Sequence, residues 1–171
     1  DHMPAVPNVD VLTLADIKAL QGGYTNGKKI MSGKDTIKNS YSTDSAYSVC
    51  VVDVSGYRKV RWPSVPGTNL VGSAFADEQG NVLKSIVVPT LGNRFEAGMY
   101  LICDVPEGAT ALYFSILNTA EFDKVVLSNS EKIEDMEPEW FANDEHLCAV
   151  VGSSVVAVSY THLTLPTSDL V

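Results

Sequence analysis

The amino-acid sequence predicts an all-β protein: a jelly-roll-like β-sandwich with one short N-terminal helix. Three observations carry this. After a turn at Pro106-Glu107-Gly108, Leu112, Phe114 and Ile116 alternate with Ala111, Tyr113 and Ser115, the period of a half-buried strand. Asp53 to Trp62 follows the same plan of strand end, turn and new strand, so two similar corners bracket a region of hairpins. Finally, eight or nine short apolar runs separated by turn residues, with little helical periodicity, suit two packed sheets.

Taken in order, Pro4 to Asp10 is rich in Pro and Val and reads as an extended lead-in. Thr13 and Asp16 form a capping-box pattern before Leu14, Ile17 and Leu20, which predicts the helix, and Gly22-Gly23 ends it. Asn26-Gly27 is a turn signal that places a short strand at Lys28 to Met31. Ser32 to Asp44 is polar and reads as an exposed loop. Ala46 to Val54 is a near-continuous apolar run expected to be a central strand, and Lys59 to Ser64 is the next, closed by Pro63 and Pro66. Val71 to Ala76 and Val82 to Val88 flank a Gly-containing turn, the clearest hairpin in the chain. Met99 to Val105, Ala111 to Leu117 and Lys124 to Leu127 complete the predicted strands.

The 171 residues are enough for one domain with a substantial core. A net charge of −9, from 21 acids against 12 bases, disfavours a nucleic-acid partner, which requires a basic face. No apolar run approaches the ~20 residues of a membrane span. Asp1-His2-Met3-Pro4 lacks the basic and apolar regions of a signal peptide. Three cysteines, Cys50, Cys103 and Cys148, make neither a disulfide framework nor a C-x-x-C zinc pair, and Cys50 and Cys103 read as buried core thiols.

Both ends read as foreign. Residues 1–3 resemble a cloning scar, and Val158 to Val171 resembles the read-through translation of a sequencing adapter. The expected organisation is therefore residues 1–3 as scar, 4–23 as lead-in and helix and 24–130 as sandwich. Residues 131–157 read as an acidic connector to a further domain, and 158–171 as non-native tail. The Ser159, His162 and Asp169 set in that tail is accordingly not read as a catalytic triad.

Three segments, Val52 to Tyr57, Ala74 to Asn81 and Val105 to Ala109, together resemble a jelly-roll module of gut (Bacteroides-type) phage and prophage tail-fibre-like proteins. The pattern F-x-D-x-x-G is present as Phe75-Ala76-Asp77-Glu78-Gln79-Gly80, and V-P-x-G-A as Val105-Pro106-Glu107-Gly108-Ala109. Lys132 to Trp140 is similar to the linkers that follow such modules. The resemblance spans roughly Gly22 to Val150, and its motifs are turns and core positions. It implies an architectural or glycan-binding role on a virion surface or outside the cell, as a monomer or homo-oligomer. It supplies no catalytic residues. The competing expectation is an accessory carbohydrate-binding module of a secreted bacterial hydrolase.

Glu134/Asp135 and Glu137/Glu139 are paired carboxylates, but they lie in the connector and read as solvated rather than as an acid/base pair. His146 has no nucleophile arranged beside it, and no hydrolase, zinc-protease or P-loop motif occurs. Sugar recognition calls for an exposed aromatic face with planar polar groups alongside. The candidates are Tyr113, Trp62 and Tyr47, with Tyr24 and Tyr41 behind them, and Arg61, Arg94 and Asn118 as polar partners. Trp62 and Tyr47 also read as core residues; Tyr113, alternating with core positions, is expected to face outward. No cofactor is expected, although Asp77, or Asp35 with Asp44, would suit a structural Ca²⁺.

Overall fold

The computed structural model describes residues 9–63, 71–87, 100–119, 124–129 and 146–147. Arg94, Cys148, the 131–145 part of the connector and the 158–171 tail lie outside the described residues. The described residues form an all-β sandwich of two five-stranded sheets. The strands are β1 (Val9–Leu12), β2 (Tyr24–Ile30), β3 (Tyr41–Asp53), β4 (Lys59–Pro63) and β5 (Gly72–Ala76), then β6 (Val82–Val87), β7 (Tyr100–Asp104), β8 (Ala111–Leu117), β9 (Val125–Ser128) and β10 (His146–Leu147). Sheet A has the order β1-β9-β4-β7-β10 and sheet B the order β2-β3-β8-β5-β6. All pairings are antiparallel except that of β10 with β7. No helix among the described residues is long and apolar enough to cross a membrane.

Alternation puts one set of side chains from each sheet into a shared core. Cys50 and Val52 of β3, Phe75 of β5 and Leu112, Phe114 and Ile116 of β8 meet Val60 and Trp62 of β4, Leu101 and Cys103 of β7, and Val125 and Leu127 of β9. Each fully buried large apolar side chain contributes about 1.5–3 kcal/mol, which is what holds the sheets face to face. Trp62 is the largest of them: it is 0% exposed, meets Phe75 edge to face at 5.8 Å, and donates its indole N–H to Ser73 Oγ at 2.9 Å. Cys50 and Cys103 are buried thiols, and burial pushes Cys50 up to about 12.

The lead-in and helix belong to this body. Val9–Leu12 pairs with β9 as the edge of sheet A. Helix α1 (Leu14–Ala19) begins with the predicted capping box: Thr13 Oγ1 accepts from the Asp16 N–H, and Asp16 Oδ2 accepts from the Thr13 N–H at 2.9 Å. Its Ile17 is buried in the core, so the helix closes one end of the sandwich.

Two expectations are corrected between residues 24 and 44. Asn26-Gly27 is not a hairpin turn: β2 runs from Tyr24 to Ile30, and its register against β3 shifts between Asn26 and Lys28. Gly27 takes a positive φ of 81°, which a bulge demands as much as a primed turn does. Nor is Ser32–Asp44 an exposed loop. It contains helix α2 (Ile37–Ser40), capped by Thr36, and the first residues of β3, and it buries Ile37 and Ser40.

Residues 31–40, which connect β2 to β3, lie as a strap across the outer face of sheet B. The strap is fixed at successive strands. The Ile30 N–H donates to Ser115 Oγ of β8 at 2.8 Å, and Met31 bridges Val71 beside β5. The Gly33 N–H donates to Ser85 Oγ of β6 at 3.3 Å. At the β5–β6 turn, Asp35 C=O accepts from the Val82 N–H and Gly80 C=O accepts from the Ile37 N–H, each at 2.8 Å. Under the strap lies a second apolar cluster of Ile30, Ile37, Val49, Ala74 and Ala76, with Tyr41, Val51, Val82 and Tyr113 against it. Sheet B is therefore covered on both faces.

Candidate functional site

The aromatic residues expected to form a sugar platform are mostly used in packing. Trp62 is inaccessible in the core, as described. Tyr47 is 7% exposed, packed with Val71, Met31 and Leu117, and Lys29 Nζ lies 5.8 Å from its ring centroid. A sugar ring needs an open aromatic face, and neither Trp62 nor Tyr47 has one. Arg61 is 1% exposed, and its guanidinium reaches the Lys124 carbonyl at 3.5 Å, so it is not a surface partner either.

Tyr113 does point to the outer face of sheet B, opposite Val51 and Ala74. There it is half-buried in the strap cluster and meets Tyr41 edge to face at 6.3 Å. Burial and the neighbouring Tyr113 push the Tyr41 hydroxyl up to about 12. Asn118 is exposed, but both ends of its amide are engaged. Oδ1 accepts from Ser48 Oγ at 2.6 Å, and Nδ2 donates to Ser45 C=O at 2.7 Å. Ser48 Oγ also accepts from Tyr24 OH at 2.9 Å, which ties Tyr24 into the same knot. Among the described candidates, Tyr41 meets Tyr113 and Tyr24 shares Ser48 with Asn118, while Trp62, Arg61 and Tyr47 are buried in separate packing.

Of the loop carboxylates suggested for Ca²⁺, Asp77 and Asp44 are likewise engaged. Asp77 Oδ1 accepts from the Gln79 and Asn81 N–H groups, and Oδ2 accepts from Asn81 Nδ2. These bonds hold Asp77 below the usual carboxylate range and lock the β5–β6 turn. Asp44 Oδ1 accepts from the Ala46 N–H and Oδ2 from Lys29 Nζ, both at 3.0 Å. No group of three or more His, Cys, Asp or Glu side chains able to hold a metal ion occurs among the described residues.

What sequence reasoning missed is a polar cleft where the two corners meet. Strands β4 and β7 place Lys59 opposite Asp104, and the Val105 N–H donates to Arg58 C=O at 2.8 Å. The resulting open cleft, about 280 Å³, is lined by Tyr57, Arg58, Lys59, Asp104 and Val105. Lys59 Nζ donates to Asp104 Oδ1, and the Asp104 side chain stays 73% exposed. Tyr57 and Val105 rest on the core, and the Tyr57 hydroxyl donates to Asp10 Oδ2. That bond, with lesser help from burial and from the Asp10 and Asp53 charges, pushes Tyr57 up to about 12. The only sequence signal for the cleft was that the two corners are alike; nothing local said that they converge.

No protein-family model, curated protein or solved structure matches the chain.

Proposed function

We infer that the chain is a non-enzymatic structural module of a phage or prophage surface protein of the tail-fibre type. It would work as a rigid β-sandwich that spaces and orients other parts of that protein. The observation that carries this reading is the strap. The outer face of sheet B, where a sugar-binding sandwich could expose its aromatic residues, is closed by the chain's own residues 31–40, and Tyr41, Tyr47 and Tyr113 are drawn into packing. Aromatic area used in this way gives stiffness. The turn and core motifs that resemble phage modules support the same reading.

The test is the gene in its genomic setting. Neighbouring tail-structure genes support the proposal. A glycan hydrolase domain in the same reading frame overturns it in favour of an accessory carbohydrate-binding module. Hydrolysis of a glycoside or ester by the purified chain, abolished by a single carboxylate or serine substitution, would overturn it as well.

A further inference from the structure

We propose that the corner cleft between the Tyr57–Lys59 and Asp104–Val105 segments binds a neutral sugar through a pair of adjacent hydroxyl groups. The inference goes beyond the structural role and does not depend on it. A sugar hydroxyl both donates and accepts, so two neighbouring hydroxyls are best met by an acceptor and a donor held side by side. Lys59 Nζ and the Asp104 carboxylate are such a pair, fixed opposite each other by the β4–β7 register. One ammonium N–H is spent on Asp104 Oδ1, and two remain in the chemistry of the group. The Asp104 side chain is 73% exposed and lines the cleft, and only its Oδ1 accepts from Lys59.

Beside this polar pair, the apolar parts of Tyr57 and Val105 suit the C–H edge of a sugar ring. Tyr57 and Val105 line the cleft while leaning on the core, and Tyr57 is further held by Asp10. Their positions are set before a ligand arrives, so little ordering cost remains on binding. The volume of about 280 Å³ is at the low edge of the roughly 300–1,000 Å³ usual for small-molecule sites, which fits a single ring better than an extended oligosaccharide. Charge favours a neutral ligand over an anion. Lys59 is paired with Asp104, Asp10 lies at the Tyr57 hydroxyl beside the cleft, and the chain as a whole carries −9.

Titration of the ¹⁵N-labelled full chain with D-glucose, D-galactose and D-mannose at millimolar concentrations, with D-glucuronate as the anionic comparison, tests this. At least one neutral hexose should shift the amide signals of Tyr57, Arg58, Lys59 and Val105 in a saturable way. Asp104→Asn should weaken that hexose about tenfold, the worth of roughly one hydrogen bond to a charged group. Three results overturn the proposal: no saturable shift at those amides with any of the hexoses, tighter binding of glucuronate, or unchanged affinity in Asp104→Asn. If that variant fails to fold, Lys59→Gln replaces it under the same criterion, and the wild-type amide map stands by itself. A hydrolase gene context would remove the structural reading above and leave this titration unaffected.

Discussion

Replacing Trp62 should show how far the sandwich depends on a side chain that also suited a binding role. Trp62→Ala removes the largest fully buried side chain, and a core Trp-to-Ala change costs about 3–5 kcal/mol. Against a typical total of roughly 5–15 kcal/mol, that brings a marginal domain close to unfolding. Trp62→Phe is the sharper probe. It keeps an aromatic ring against Phe75 but loses the indole N–H to Ser73 Oγ, and it leaves part of the pocket empty. The hydrogen bond is worth about 0.5–1.5 kcal/mol, and the residual cavity adds about 24 cal/mol per Å³, so a loss of roughly 1–3 kcal/mol is expected. Ser73→Ala strands a buried indole donor and should cost about 1–3 kcal/mol. In the double variant the hydrogen-bond contribution is lost only once, so the two changes should cost less together than their sum, by about 0.5–1.5 kcal/mol. Urea unfolding followed by far-ultraviolet circular dichroism reads these values without relying on tryptophan emission. A Trp62→Phe variant within about 0.5 kcal/mol of the parent, the range of ordinary surface changes, would refute the placement of the indole.

Three further outcomes follow from the same geometry. Ile37→Ala should destabilise the chain by about 2–4 kcal/mol in urea, because Ile37 is the strap's buried apolar anchor on sheet B; an exposed-loop residue would give under about 0.5 kcal/mol. Gly27→Ala should cost about 1–2 kcal/mol by thermal unfolding and Gly27→Asn less, because the bulge needs φ near 81° and Asn tolerates that region; equal costs would place the strain elsewhere. In a spectrophotometric alkaline titration, Tyr41 and Tyr57 should ionise late, near 12, and Tyr57→Phe should remove one late tyrosine. The folded-state value of Tyr57 lies above the ordinary 10.0, so its stabilising contribution is complete below pH 10 and is lost as pH rises through about 12. An unchanged number of late tyrosines in Tyr57→Phe would contradict the Tyr57–Asp10 bond.

The fold was largely legible because its signals are local. Alternation at Leu112, Phe114 and Ile116, the Thr13–Asp16 box and the turn at Asp77 each act within a few residues, and each forms as expected. Asn26-Gly27 misled because the pair reports a positive φ, and a bulge and a tight turn share that requirement. Ser32–Asp44 misled for another reason. Lys34, Asp35, Lys38 and Asn39 do face water, but the backbone between them bonds to Ser85 and the β5–β6 turn and Ile37 is buried, so a polar surface conceals an ordered strap. Burial on the outer faces also defeated the candidate site. Alternation sends Arg61 and Tyr47 away from the main core, yet both are buried on the outer faces. The corner cleft was hidden because its two halves are more than forty residues apart and become neighbours only through the β4–β7 pairing.

The structural reading rests on sheet B being closed by its own strap, and native-state amide hydrogen exchange measures that directly. The N–H groups of Ile30, Gly33, Ile37 and Val82 donate to Ser115, Ser85, Gly80 and Asp35. They should exchange with protection approaching that of the paired β3 and β8 amides, as parts of one cooperative unit. Exchange of these four at the rate of exposed loop amides, while β3 and β8 stay protected, would show an open outer face and contradict the account.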